Sequence, residues 1–286
     1  MWRLRFMRKV HPGIVLIYAL SFLALGLLLW VLGSIAYNGL PVILHYGVQI
    51  FTANIPPPMF FFGPPPEVGL APAIVGTLMI VGIALLISFP IGFLAGVLMA
   101  EFHYTKIAQV AEHVASLLVE VPTIAAGIAI YWLIVVPSQG FSAIAGSVAL
   151  SLIMIPYIAL YTAESYKKVP RIIKEGGLAL GIPYSKVLFK VIRGLVAPGV
   201  VTGVLIAVAK AAGEAAPLLF TAGWSNKVSL DPFQQSASLS VLIYKFGFSS
   251  QDLWLKLSWA ASFILVFMII LPLIVISKIV VRKHEF

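Results

Sequence analysis

The sequence contains no cysteine in 286 residues, and only 10% of its residues are charged. The first absence excludes disulfides, thiol catalysis and thiolate metal sites. The second excludes an ordinary soluble domain, in which about 25% of residues are charged. Histidine is also scarce. His11, His45, His103, His113 and His284 are all there are, and no two stand at the four-residue spacing by which one helix presents two metal ligands. No metal site is expected. The G-x-x-x-x-G-K-[ST] loop that cradles nucleotide phosphates is missing too, so the chain is not expected to hydrolyse ATP itself.

Hydrophobic side chains make up 61% of the sequence. They fall in runs long enough, at about 1.5 Å per residue, to cross about 30 Å of hydrocarbon as helices. Because every backbone polar group must be satisfied inside the bilayer, such runs predict an all-α polytopic membrane protein rather than a barrel. Six transmembrane helices are predicted, over Ile14 to Tyr37, Ala73 to Ala100, Ala111 to Val136, Ser142 to Ala163, Val196 to Phe220 and Lys256 to Val281. Pro90, Pro156 and Pro272 fall inside spans, and Gly92 and Gly96 form a small-residue pair suited to close helix packing. No internal repeat is visible.

The formal net charge of +9 reports orientation rather than a nucleic-acid partner. An even number of spans places both termini on one side. Fifteen of the nineteen basic residues fall on that side: Arg3, Arg5, Arg8, Lys9, Lys106, a cluster from Lys167 to Arg193, and Lys278, Arg282 and Lys283. Only Lys227, Lys245 and Lys256 lie opposite, so both termini are expected in the cytoplasm of a cell (inner) membrane. The first apolar stretch exceeds the core of a cleavable signal, so Ser34-Ile35-Ala36 is not read as a cleavage site and the stretch is an uncleaved anchor.

These boundaries divide the chain into a cytoplasmic N-terminal segment (1–13), a first transmembrane helix (14–37), a Pro-rich external loop (38–72), a transmembrane domain (73–281) and a cytoplasmic tail (282–286). The loop contains "NIPPPMFFFGPPPEVG", in which prolines fix the backbone and remove donors. It is read as a rigid connector or a docking surface. The last external loop, from about Thr221 to Leu255, has room for a short interfacial helix.

Between the fourth and fifth spans lies a cytoplasmic segment, 164–195, of mixed charge: "ESYKKVPRIIKEGGLALGIPYSKVLFKVIRGL". Leu180, Val187, Val191 and their neighbours recur at helical spacing, with Lys186, Lys190 and Arg193 between them. Two short helices are predicted, separated at Gly181-Ile182-Pro183, where glycine ends one helix and proline opens the next. Such a segment suits either an anionic lipid surface or a cytoplasmic partner.

The other conspicuous feature is "KAAGEAAPLLFTAG", which puts Lys210 and Glu214 inside the fifth span. On an ideal helix they share a face of about 80° with Gly199, Gly203, Ala207 and Pro217. Charges at a helix centre cost about 2.5 to 3.5 kcal/mol each on insertion scales, and they face the bundle interior or an aqueous cavity. The pair is therefore read as lining a pathway, the plainer reading being a self-satisfied pair between packed helices. Pro217 predicts a kink beside it. Glu120, next to Val121-Pro122, is placed at an interface or vestibule, and Glu101, Glu112 and Glu164 are expected to be solvated at span ends.

Two motifs carry a family resemblance. "KEGGLALGIP" resembles the cytoplasmic loop of importer-type ABC permeases, in which Glu-Ala-Ala is followed by glycine six positions after the Glu. Glu175 and Gly181 keep that spacing, Gly176-Gly177 replaces Ala-Ala, and Pro183 follows. Two glycines weaken a helix by about 1 kcal/mol each, which predicts a docking helix that starts later or moves more than its relatives. The segments "GLAPAIVGTLMIVGIALLISFPIGFLAGVLMAEF", "VPTIAAGIAIY", "GEAAPLLFTAG" and "LSVLIYKFG" are similar to phosphate-specific ABC permeases, most closely their A-type subunits, from about Gly69 to Val281.

The resemblance implies a type I ABC importer permease architecture for 73–281. It implies a C-type partner permease, two copies of an ATP-binding subunit carrying ATP and magnesium, and an external phosphate-binding protein. It further implies that segment 164–195 couples to the ATPases, and that the chain itself holds no cofactor. In the relatives the first position of the intramembrane pair is typically arginine, where this chain has Lys210. An ion-coupled secondary anion carrier, or an ABC permease for another oxyanion, are the alternatives.

Overall fold

The computed structural model describes residues 12–57 and 67–282, and every regular element among them is a helix. In chain order these are α1 (Pro12–Tyr46), α2 (Gln49–Thr52), α3 (Ala71–Glu101), α4 (Lys106–Glu120), α5 (Thr123–Ile130), α6 (Val136–Ser138), α7 (Ala143–Lys167), α8 (Arg171–Ala179), α9 (Tyr184–Lys186), α10 (Arg193–Gly213), α11 (Ala216–Leu219), α12 (Leu239–Gly247) and α13 (Asp252–Arg282). A π turn over Tyr131–Val135 joins α5 to α6, and another over Val187–Val191 joins α9 to α10. Five helices, α1, α3, α7, α10 and α13, are long and apolar enough to cross a membrane, and the bent unit from α4 to α6 makes a sixth if it counts as one span.

Helix α7 is central because it is flanked on both sides by glycines of its neighbours. An ideal Cβ on Gly96 of α3 would sit 2.5 Å from the Ala159 carbonyl oxygen and 2.5 Å from Thr162 Cβ, and one on Gly92 would meet the Ile155 carbonyl oxygen at 2.9 Å. From the other side, a Cβ on Gly203 of α10 would meet Tyr161 Cβ at 2.4 Å. Lipid tails give apolar helices no reason to associate by hydrophobicity alone, so close backbone approach is what dispersion rewards here. A second packing group gathers α1, α12 and α13, where Leu257, Ala261 and Ile264 are buried against Leu242, Phe246 and the flank of Val42 and Ile43.

Three boundaries differ from those expected. First, α1 does not stop near Tyr37; it continues through Pro41 to Tyr46, and α2 follows, so residues 38–52 are largely helical rather than loop. Tertiary contact explains it: Val42, Ile43 and Tyr46 pack on the α12–α13 core, which outweighs the amide lost at Pro41. The proline-rich run at 58–66 lies outside the described residues.

Second, the third span is not one helix. Its halves meet at 102°. Val121 (φ −65°, ψ 129°) and Pro122 (φ −55°, ψ 125°) are both extended, because the proline ring drives the residue before it out of the helical region. Third, the fifth span ends at Gly213 instead of bending at Pro217. Glu214 is extended (φ −79°, ψ 119°), and Pro217 lies in the first turn of the separate helix α11, where its missing N–H costs nothing.

If α7 is held by these glycine contacts, filling them must separate the helices. Gly96→Leu should destabilise the protein by about 1–3 kcal/mol or more through overpacking. The check is the thermal midpoint and monodisperse yield in detergent, with Gly82→Leu, at a position with no atoms near the added Cβ, as the near-neutral control.

Candidate functional site

The two helix breaks face each other. Where α10 ends, the Glu214 N–H donates to the Ala211 carbonyl at 3.2 Å, and the Glu214 carbonyl accepts from Ser240 Oγ of α12 at 2.9 Å. Where α5 begins, Thr123 Oγ1 donates to Glu214 Oε2 at 2.8 Å. Lys210 Nζ lies 3.2 Å from Glu214 Oε1. The intramembrane ion pair is thus made, but as a bond from the last turn of α10 to the extended residue just beyond it. Its partner Thr123 is 91 residues away in sequence. Packing behind the cluster is tight: an ideal Cβ on Gly127 of α5 would lie 2.6 Å from Pro217 Cα of α11.

The two charges differ in exposure. Glu214 is 17% exposed, while Lys210 is 39% exposed and reaches along the wall of a cleft of about 210 Å³ formed with Val121, Thr123, Ala126, Ile153 and Tyr157. The expected face is split. Gly199 and Gly203 turn toward Ser165 and Tyr161 of α7, Lys210 turns to the cleft, and Pro217 leaves the helix altogether. Glu120 is exposed and lies at the end of α4, one residue before the bend.

At the far end of α10 lies the mixed-charge segment, about 25 Å from Lys210 along the helix at 1.5 Å per residue. The two sets of expected site residues do not meet. Gly181 adopts φ 75° and follows α8, and Pro183 caps α9 in an extended conformation (φ −56°, ψ 141°). Glu175 and Gly176 are exposed, whereas Gly177 is buried, with an ideal Cβ 3.0 Å from Val187 Cγ2. Far from delaying the helix, the glycine pair lies within α8, which already begins at Arg171. One of the glycines brings α8 onto the π turn.

Glu101 was expected to be solvated, and that is corrected: its side chain is only 5% exposed. Lys174 Nζ of α8 lies 2.5 Å from Glu101 Oε1, and Tyr184 Oη of α9 donates to Glu101 Oε2 at 2.6 Å. Burial, then the hydrogen bond to Glu101 and its charge, raise the Tyr184 phenol above its ordinary value, so it remains a donor at neutral pH. One carboxylate at the end of α3 therefore holds both helices of the segment. Lys167 to Glu112 at 2.7 Å ties α7 to α4 beside it, and the two pairs line a cleft of about 660 Å³ that includes Glu175. Glu112 and Glu164, 43% and 60% exposed and each paired with a lysine, keep contact with solvent.

Residues 92–285 match the family described as binding-protein-dependent transport system inner membrane components. The chain belongs to that family. It is a multi-pass membrane component. Among curated proteins it is similar to the probable phosphate transport system permease protein PstA of Methanocaldococcus jannaschii, with 40% identity over 248 residues, 86% of this chain and 85% of the relative. It is 34% identical over 258 residues to PstA of Haemophilus influenzae, covering 89% and 88% of the two chains. The match to PstA of Yersinia pestis is 32% over 281 residues, 97% and 92% of the chains. Among solved structures, a chain of the inward-facing MetNI methionine ABC transporter superposes with a TM-score of 0.60 at 17% identity, covering 75% of this chain and 94% of that one. That likeness speaks for the fold alone.

Removing one partner of a buried ion pair leaves the other charge uncompensated, at a cost of about 3–5 kcal/mol. Glu101→Ala in this component should therefore loosen α8 and α9 while sparing the bundle. Hydrogen exchange over residues 171–191 should rise strongly in the variant and little in Tyr184→Phe, which removes one bond and no charge.

Proposed function

We propose that this chain is a permease subunit of an ATP-driven importer for inorganic phosphate, working by alternating access. The observation that carries the reading is the Lys210–Glu214–Thr123 cluster, a charge pair held where two broken helices meet, beside a cleft. The names of the curated relatives supply the substrate class. Lys210 offsets anion charge, and Glu214 keeps the lysine neutralised between turnovers. A protonated phosphate oxygen can donate to Glu214, which fully ionised sulfate cannot do.

The remaining parts belong to the same proposal. A second, C-type permease subunit completes the pathway that Lys210 partly exposes. Two ATP-binding subunits, carrying ATP and magnesium, engage α8 and α9 through the exposed Glu175 and Gly176, with Gly177, Gly181 and Pro183 shaping the segment that meets them. An external phosphate-binding protein delivers substrate at the opposite end. The positive-inside rule puts the Lys167–Arg193 cluster and both termini in the cytoplasm. Family membership supports this reading over an ion-coupled carrier, which has no use for a coupling segment. Discrimination against another oxyanion rests on Glu214.

Hydrogen bonds to charged groups are worth about 1.5–3 kcal/mol, so losing one at the pathway should slow transport about tenfold to a hundredfold. Phosphate uptake by the reconstituted transporter should fall by that much in Lys210→Gln and in Glu214→Gln, and Lys210→Arg should keep most of it. Near-normal uptake in both glutamine variants would remove the pair from the pathway.

A further inference from the structure

An apolar groove of about 640 Å³ runs between α3 and α10, apart from the Lys210 cleft, with Ile276 of α13 also in its lining. Phe89 and Phe93 of α3 and Phe189 of the π turn line it, and Phe93 and Phe189 lie with ring centroids 6.2 Å apart. Along α10 it extends from Arg193 to Leu205. Twelve residues at 1.5 Å make about 18 Å, little more than half of the roughly 30 Å hydrocarbon core. That reach suits an occupant confined to one leaflet. A transmembrane helix of a partner would need about twice the length.

Charge sets the chemistry of the mouth. Arg193 is exposed there and makes no ion pair among the described residues. Of the acids at the same end, Glu101, Glu112 and Glu164 are taken by Lys174, Lys167 and Lys168, and the exposed Glu175 lines the other cleft, with Lys174 and Tyr184. Lys186 and Lys190, seven and three residues before Arg193, are also exposed and add positive potential. A planar guanidinium matches phosphate oxygens two at a time. Basic pockets between membrane helices at this kind of boundary hold anionic head groups.

We propose that the groove binds one anionic phospholipid, with its phosphate on Arg193 and one acyl chain laid along α10 toward Leu205. The site needs only the membrane and this chain, so it stands or falls independently of the phosphate pathway. Native mass spectrometry of the purified full chain, mixed with phosphatidylglycerol or phosphatidylcholine of identical acyl chains, reads it directly. Both lipids carry the phosphate, but the quaternary ammonium of phosphatidylcholine cancels its charge and is repelled by the basic mouth, which predicts about tenfold better retention of phosphatidylglycerol. Arg193→Gln, a change at an exposed side chain, should cut that preference several-fold, and Ala197→Trp, which fills the groove, should reduce retention of both lipids. Equal retention of the two lipids by the unaltered chain, or a preference undiminished in Arg193→Gln, overturns the proposal. A photo-reactive residue at Ala197 in whole membranes should capture lipid; capture of a polypeptide instead overturns it and assigns the groove to a partner chain.

Discussion

A peptide group that leaves a helix inside hydrocarbon must be bonded by protein, because no water is there to do it. The chain breaks two of its helices, at Val121-Pro122 and at Glu214, and turns the breaks toward each other. Glu214 meets the requirement with its backbone, which is bonded to Ala211 and Ser240, and with its carboxylate, which joins Lys210 to Thr123. Ser240 is itself anchored: Leu239 N–H, one residue earlier, donates to Thr77 Oγ1 of α3 at 2.8 Å. The charge pair is therefore positioned by α3, α5, α10 and α12 together. It could not be moved without reopening the backbone bonds around it.

The same α10 that ends at this cluster begins at the mixed-charge segment, so the two ends of the molecule share one helix. Glycine contacts hold α3 and α10 against α7, and Glu101 at the end of α3 grips Lys174 and Tyr184 of the segment. The segment is joined covalently to α7 and α10 at its two ends and is gripped electrostatically by α3. That arrangement gives a force applied to α8 a stiff route into the membrane helices. Interiors packed this closely transmit displacement rather than absorb it.

Hydropathy alone located the helical bundle, and charge spacing alone brought out Lys210 and Glu214, since both signals are local. What the sequence concealed was set by distance or by context. Thr123 and Glu214 are 91 residues apart, and Glu101 is 73 and 83 residues from Lys174 and Tyr184, so no pattern in a window joins them. Averaging over a window also hid the bend at Pro122, although a proline after an acid in mid-span was a usable signal. The first span errs in the other direction: packing against α12 and α13 carries α1 through Pro41 to Tyr46, beyond the end that hydropathy sets at Tyr37. The Gly176-Gly177 pair read as a weakness; in three dimensions Gly177 is where Val187 needs room.

The most direct test of the transport role is reconstitution. The chain, assembled with a partner permease and ATP-binding subunits in proteoliposomes and supplied with a phosphate-binding protein, should accumulate radiolabelled phosphate only when ATP is present on the ATPase side. Collapsing proton and sodium gradients should leave that uptake unchanged. Accumulation by the chain alone, abolished by collapsing those gradients and indifferent to ATP, would contradict it.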